Sequence, residues 1–172
     1  LGGIAKGYIG DKAKEYLLNN GVEKAIINLG GNILTISHDD DAPFTIGVQR
    51  PFDEQGTSYG ILDIQNMSVV TSGTYERSFE KEGILYHHIL DTKTGMPINN
   101  GLYSVTIIAK DSAVADALST TCFVLGVEEG LKLIEETPDT EGIFITNDYE
   151  AHCSSGINKD ISFKIIDARK GE

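Results

Sequence analysis

The chain has 172 residues, a length that fits one domain with a sizeable hydrophobic core. Its formal net charge of -12 at pH 7 argues against nucleic-acid binding, because phosphate recognition depends on a surplus of lysine and arginine. No apolar run approaches the roughly 20 residues that span a bilayer, and the 2 cysteines lack a metal-ligand spacing.

The first half of the chain predicts one helix followed by short strands. Apolar residues recur at helical spacing between Ile4 and Leu18, and Asn20-Gly21 ends the helix. The apolar segment 24–29 predicts a strand that leads into Gly30-Gly31-Asn32, where glycines let the backbone bend or approach a ligand closely. Further strands are predicted over 33–37, 44–49, 60–65 and 67–72.

The second half predicts a hairpin, further strands and a pair of helices. Segments 77–79 and 84–89 form the predicted hairpin, 103–109 and 142–146 predict strands, and the tail from Asn158 has little pattern. Residues 113–125 and 128–136 have helical patterns. Because strands and helices occur in groups instead of alternating strictly, we expect a single α+β domain with mixed or antiparallel sheets packed with helices.

Asp116 and Thr120, on the first of these helices, form a candidate metal site. They are four residues apart, so they project from the same helix face. A carboxylate and a hydroxyl are hard oxygen ligands of the kind that Mg²⁺ accepts. In the structural alternative, which spacing alone favours, Asp116 caps a helix or forms an ion pair while Thr120 bonds back to its own helix.

The opening segment LGGIAKGY is a candidate anion-binding site. The main chain at Gly2 and Gly3 is suited to meet a phosphate or a metal, and Lys6 in the first helical turn would neutralise negative charge. The segment has neither the spaced glycines of a dinucleotide fingerprint nor a P-loop. A tight turn that packs a helix on a sheet is the structural alternative.

The segment TSGTYERSF predicts a strand on which Tyr75, Arg77 and Phe79 share one face. Arg77 would either hold a phosphate or pair with a nearby acidic side chain, and the second arrangement is the more common in proteins.

The segment YHHILDTKTGMP places His87 and His88 side by side on a predicted strand. Neighbouring residues of a regular strand point to opposite faces, so at most one of them easily serves a site. A neutral imidazole is suited to act as a general base near pH 7. Asp91 either orients this base or begins the turn that Thr94-Gly95 closes.

Taken in order, these segments resemble the ApbE-type FAD:protein FMN transferases. The matching segments are LGGIAKGY, NLGGN, TSGTYERSF, YHHILDTKTGMP and ADALSTTCFVLG, which extend from Leu1 to Gly126. The resemblance implies an α+β fold, FAD as substrate, Mg²⁺ as cofactor, and transfer of FMN through a phosphoester bond to a threonine hydroxyl of a target protein, with release of AMP. The alternatives are a Mg²⁺-dependent FAD pyrophosphatase that gives FMN and AMP, a non-catalytic FAD-binding protein, and a structural domain.

The resemblance also implies roles for individual residues. Mg²⁺ would be held by Asp116, Thr120 and a main-chain oxygen near Gly3. His88 would be the catalytic base or a residue on the phosphate side, and Asp91 matches the acid that follows it in the family. Contacts with FAD are implied for Lys6, Gly30, Gly31, Asn32, Ser72, Gly73, His88 and Ile89.

The chain departs from the family pattern at its start and in one turn. The family usually has an aspartate just before the position of Leu1, and an upstream region that contributes to the flavin pocket. We therefore expect residues 1–172 to be the C-terminal portion of an ApbE-like domain. The resemblance implies that the full-length parent is an extracytoplasmic, membrane-anchored lipoprotein. Thr92 replaces a frequent proline, which predicts only a small change in loop rigidity.

Overall fold

Three antiparallel sheets and three helices make up the fold, which is described here from a computed structural model over residues 2–38 and 40–167. The elements, in chain order, are α1 (Gly2–Asn19), β1 (Ala25–Asn28), β2 (Asn32–Ile36), β3 (Phe44–Gln49), β4 (Ser58–Ile64), β5 (Ser68–Gly73), β6 (Ser78–Lys81), β7 (Ile84–His87), β8 (Leu102–Ala109), α2 (Ser112–Leu125), α3 (Val127–Glu135), β9 (Thr140–Thr146), β10 (Ala151–Cys153) and β11 (Ser162–Ile165). The predicted α+β class is confirmed. None of the helices in the described ranges is long and apolar enough to cross a membrane.

A six-stranded sheet with the order β1-β2-β5-β8-β9-β10 separates two hydrophobic cores. One face of this sheet packs against the three-stranded sheet β11-β4-β3, and the other packs against the helices. Side chains alternate between the faces of a strand, so Val69 belongs to the first core and its neighbour Val70 to the second. The same alternation places the candidate residues of β2 and β5 beneath α1 and α2.

Helices α1 and α2 pack closely on the central sheet. Gly7 is buried at their contact, where an added Cβ atom would collide with the main chain of Ser112. The carboxylate of Asp11 accepts hydrogen bonds from the main-chain N–H groups of Ser112 and Ala113, each at 2.8 Å. N–H groups at the start of a helix have no partner within that helix. The N-cap residue of α2 makes no side-chain cap bond, so Asp11 of α1 supplies the cap.

The hairpin of β6 and β7 stands apart from the two larger sheets and carries an exposed aromatic pair. The rings of Phe79 and Tyr86 stack with centroids 5.2 Å apart. After β7 the chain forms a turn whose ends meet in a bridge between Leu90 and Pro97. This arrangement holds the segment around His88 at the edge of the second core.

One sequence prediction about local structure is wrong, and one strand lies where the sequence predicted no element. Tyr75, Arg77 and Phe79 do not share a strand face, because β5 ends at Gly73 and residues 74–77 form a turn in which the Tyr75 ring folds back over Gly73. The weakly patterned tail contains β11, which pairs with β4 and buries Phe163. A strand of 4 residues is too short to show a periodic pattern.

Candidate active site

The carboxylate of Asp116 lies against the first turns of α1. The side chain is 6% exposed, and its Oδ2 accepts a hydrogen bond from the main-chain N–H of Gly7 at 2.8 Å. In an α-helix that N–H group faces the carbonyl of the residue four positions earlier, which is Gly3. The fold therefore brings Asp116 beside the helical turn that begins at Gly3, although the two residues are far apart in sequence.

Asp116 has little to compensate its negative charge. Within residues 2–38 and 40–167 it has no ion-pair partner, and the Gly7 N–H is its one hydrogen-bond donor. A buried carboxylate without a counter-charge costs free energy unless a cation or further donors approach it. The structure thus differs from the ion-pair alternative for this residue.

Thr120 also differs from the structural alternative. Its hydroxyl lies 3.2 Å from the Ser72 hydroxyl on β5, whereas the neighbouring Thr121 donates back to the carbonyl of Ala117 in the ordinary helical manner. Ser72 is also 2.8 Å from the Ser119 hydroxyl. The Thr120 side chain is therefore directed between α2 and the sheet, on the same helix face as Asp116.

Lys6 joins the start of α1 to the glycine turn between β1 and β2. Its Nζ donates to the carbonyl oxygen of Gly30 at 3.1 Å. Gly30 and Gly31 have φ angles of 67° and 93°, in the left-handed region that favours glycine. Three of the residues predicted to contact FAD are thus brought together by the fold.

Asn32 is fully buried, and neither polar atom of its side chain has a hydrogen-bond partner among the described residues. It shares a strand face with Leu34, whose side chain packs against Gly10 of α1. Buried carboxamides are nearly always hydrogen-bonded, and leaving one unpaired is costly. Asn32 is therefore a group that a bound ligand or water would satisfy.

Two cavities adjoin the turn that contains Glu76 and Arg77. Glu76 lines one cavity, and Arg77 lines the other. The cavity on the Glu76 side has a volume of 510 Å³ and includes Gly30, Gly31 and Thr71. The cavity on the Arg77 side has a volume of 390 Å³, and its other lining residues are Phe79, Tyr86, His87, His88, Leu90, Gly95, Met96 and Pro97. Both volumes lie in the range of small-molecule sites.

The adjacent histidines have different environments, although β7 ends at His87 and His88 lies just beyond the strand. His87 is buried, with Nε2 donating to the carbonyl of Ile98 at 2.9 Å and Nδ1 accepting from the N–H of Ile89 at 3.3 Å. Both of its nitrogens are occupied. His88 is mostly exposed and lines the 390 Å³ cavity. Partial desolvation of the ring lowers the pKa of His88, and the nearby charge of Arg77 lowers it further.

Asp91 begins a turn in the structure. Its Oδ1 accepts from the N–H of Lys93 at 2.8 Å, and its main-chain oxygen accepts from Gly95 at 2.7 Å. These bonds agree with the turn-forming alternative. Its predicted catalytic role gains no support, since the carboxylate has no bond to His88 among the described residues.

The remaining residues predicted to contact FAD are Gly73 and Ile89. Gly73 pairs with Ser104 at the end of β5, and Ile89 is 4% exposed with both main-chain groups bonded, to His87 and to Ile98. Their contacts with FAD stay predictions.

Sequence reasoning missed two residues that the fold places at the site. Ser119 precedes Thr120 in the segment ADALSTT, and its hydroxyl contacts Ser72 of the sheet, as the hydroxyl of Thr120 does. Glu76 lies beside the glycine turn, where a Cβ atom on Gly31 would be 3.3 Å from its Oε1. Desolvation raises the pKa of Glu76, and the charges of Lys6 and Arg77 oppose that shift. The sequence feature that could have identified them is their position inside two of the matching segments, ADALSTTCFVLG for Ser119 and TSGTYERSF for Glu76.

Comparison with known sequences identifies related proteins. The sequence model of the ApbE family matches residues 1–144. A protein from Klebsiella pneumoniae named FAD:protein FMN transferase is 46% identical over 155 residues, covering 90% of this chain and 48% of that protein. A protein of the same name from Treponema pallidum is 38% identical over 178 residues, covering 98% of this chain and 49% of that protein. The chain spans about half the length of these curated relatives.

Solved structures agree with the sequence comparisons. The ApbE protein from Thermotoga maritima superimposes with a TM-score of 0.79 at 35% identity, covering 90% of this chain and 50% of that one. The apo form of the flavinyl transferase ApbE from Pseudomonas stutzeri gives a TM-score of 0.73 at 31% identity, covering 90% of this chain and 48% of that one.

Proposed function

Because the chain belongs to the ApbE family, we propose that it carries out Mg²⁺-dependent transfer of FMN from FAD to a threonine hydroxyl of a target protein. FAD is the substrate, AMP is the second product, and the target protein is the partner. The observation that carries this proposal is the buried carboxylate of Asp116, which lies beside the turn of α1 that begins at Gly3 and has no ion-pair partner among the described residues.

The residues at this position fit a magnesium ion. The carboxylate of Asp116, the hydroxyl of Thr120 and the carbonyl of Gly3 are all hard oxygen donors. No cluster of three or more His, Cys, Asp or Glu side chains suited to a metal is present in the described part of the chain. This agrees with Mg²⁺, which uses one or two carboxylates and fills its other positions with water and substrate phosphates. A Cβ atom at Gly3 would meet no other atom within 4 Å, so there is space beside this turn.

A bound Mg²⁺ would neutralise negative charge on the pyrophosphate, which otherwise repels an incoming oxygen. Lys6, which directly precedes Gly7 in α1, adds a positive charge near this position. Because the Gly30 carbonyl holds the Lys6 ammonium, that charge is positioned before substrate binds.

The reaction breaks the phosphoanhydride bond of FAD and forms a phosphoester bond. The threonine oxygen forms a bond to the phosphorus on the FMN side, the bond from that phosphorus to the bridging oxygen breaks, and AMP leaves with that oxygen. His88 accepts the proton of the threonine hydroxyl at its neutral ring. Its lowered pKa keeps the ring neutral at pH 7, and its position on the 390 Å³ cavity leaves it accessible.

Intact-mass measurement of a threonine-bearing acceptor tests this proposal. Incubation with the protein, FAD and Mg²⁺ should add one FMN group to the acceptor, and omitting Mg²⁺ should prevent it. Asp116→Asn should reduce the rate about 100-fold or more, because the substitution removes the negative charge that holds the cation. Asp111→Asn is the matched control, since Asp111 is exposed at the start of the same helix and makes no side-chain cap bond.

The other outcomes separate the alternatives. Release of AMP without a gain in acceptor mass would indicate an FAD pyrophosphatase. FAD that binds and stays intact would indicate a non-catalytic flavin-binding protein. Full transfer by Asp116→Asn would contradict the assignment of this residue.

A further inference from the structure

Three hydroxyl groups connect the candidate metal site to the central sheet. The Ser119 hydroxyl is 2.9 Å from the carbonyl oxygen of Asp116 in its own helix. The Ser72 hydroxyl is 2.8 Å from the Ser119 hydroxyl and 3.2 Å from the Thr120 hydroxyl. Ser72 lies on β5, so these bonds join a strand to the helix that carries Asp116 and Thr120.

Counting protons fixes the direction of every bond in this set. A hydroxyl has one proton to donate and two lone pairs that accept. The carbonyl of Asp116 can only accept, so Ser119 donates its proton there. Ser119 must then accept from Ser72, which uses the only proton of Ser72. The bond between Ser72 and Thr120 is therefore donated by Thr120.

We propose that Ser72 and Ser119 are positioning residues that orient Thr120 as a metal ligand. Because the relay draws the Thr120 proton toward Ser72, the Thr120 oxygen keeps its lone pairs available to a cation. This inference rests on the proposed function, since it concerns the same Mg²⁺ site. It assigns to Ser72 a role through Thr120 in place of the direct FAD contact implied by the family resemblance.

The relay matters because an unrestrained threonine in a helix has a competing arrangement. A helical threonine divides between two χ1 rotamers, since its hydroxyl can bond to a carbonyl of the preceding turn. Thr121 shows this competing arrangement one residue away, with its hydroxyl 2.8 Å from the Ala117 carbonyl. Groups behind a metal ligand commonly change metal affinity by about 10-fold to 100-fold when they are removed.

The first test needs no metal. In protein labelled at threonine methyl groups, the three-bond couplings of the Thr120 methyl carbon report its χ1 rotamer. We expect a single rotamer in the wild type and averaging between two rotamers in Ser72→Ala. A Thr120 side chain with unchanged couplings in Ser72→Ala would overturn the proposal, whatever the metal affinity.

The second test measures Mn²⁺ binding by the loss of the free-ion signal in electron paramagnetic resonance. Ser72→Ala should weaken binding by about 10-fold, and Ser72→Thr, which retains the hydroxyl, should restore it. Ser119→Ala should cause a smaller loss of Mn²⁺ affinity, because Ser72 keeps its hydrogen bond with Thr120. Without Ser119 as its acceptor, however, Ser72 is free to donate to Thr120 instead of accepting from it.

Thr106→Val is the matched control for this series. The Thr106 hydroxyl is 2.8 Å from the hydroxyl of Thr71, which is next to Ser72 on β5 and points to the opposite face of that strand. Thr106→Val therefore also removes one hydrogen bond between two hydroxyl groups. Its Mn²⁺ affinity should equal that of the wild type. If Thr106→Val and Ser72→Ala weaken Mn²⁺ binding equally, the effect is general and the proposal is wrong.

Asp116→Asn distinguishes failure of this inference from failure of the proposed function. If Asp116→Asn binds Mn²⁺ as well as the wild type, or if neither binds, the metal site itself is wrong and the inference fails with it. If Asp116→Asn loses Mn²⁺ while Ser72→Ala retains full affinity, the metal site stands and the relay alone is refuted.

Discussion

Adjacent histidines show how a shift of one position along the chain changes the environment of a side chain. Both ring nitrogens of His87 are bonded to main-chain groups within the protein, whereas His88 faces a cavity. Burial is the main cause of the lowered pKa of His88, and the charge of Arg77 is the next. A base with a pKa below the ordinary histidine value of 6.5 is neutral at pH 7 and loses function only in more acidic solution.

The pH dependence of FMN transfer tests this role for His88. The wild-type rate should be level near pH 7 and should fall as the pH drops through the lowered pKa. Arg77→Gln removes a cation beside the ring, so its acid limb should move to higher pH, toward the ordinary value but short of it because burial remains. Lys93→Gln, which removes an exposed cation from the nearby turn, should leave the limb in place. An acid limb that stays fixed, or moves to lower pH, in Arg77→Gln would exclude His88 as the titrating base.

At the level of elements, the site depends on how α1 meets α2. Asp11 supplies the cap of α2 from another helix, and Gly7 permits the close approach that places its N–H on Asp116. The face of α2 that carries Asp116 and Thr120 is therefore positioned by α1 as well as by the sheet beneath it.

Unfolding by urea measures the contribution of the cap. Asp11→Ala should lower the free energy of unfolding by about 2 kcal/mol, because two main-chain N–H groups of α2 lose a charged acceptor. Asp111→Ala removes the carboxylate of the residue that precedes α2, but that carboxylate makes no cap hydrogen bond. The free energy of unfolding should therefore change by no more than about 0.5 kcal/mol. Equal losses in the two variants would show that the effect is one of helix charge and not of the Asp11 bonds.

At the level of the whole molecule, local patterns predicted the elements well and their long-range contacts poorly. The apolar periodicity of residues 4–18 and the β-branched segment 103–109 correspond to α1 and β8, because burial of one face leaves a repeat in the sequence. The bond from Gly7 to Asp116 joins residues 109 positions apart, and no local repeat encodes it. Family resemblance supplied that pairing.

The relay of hydroxyl groups shows the same limit on a finer scale. Ser72 and Ser119 are ordinary residues for a strand and a helix, and their spacing in sequence indicates no contact. Only the packing of β5 beneath α2 brings them together. The turn at residues 74–77 was missed for a related reason, since alternation of side chains continues past the point where the strand ends.

The whole molecule also has a net charge of -12, so divalent cations will gather weakly at its surface in addition to the proposed specific site. Crystals grown with Mn²⁺ and measured for anomalous scattering separate the two directly. We expect a strong anomalous peak within coordination distance of both the Asp116 carboxylate and the Thr120 hydroxyl oxygen. Crystals of wild-type protein with Mn²⁺ at surface acids alone, and no peak beside Asp116, would contradict the proposed metal site.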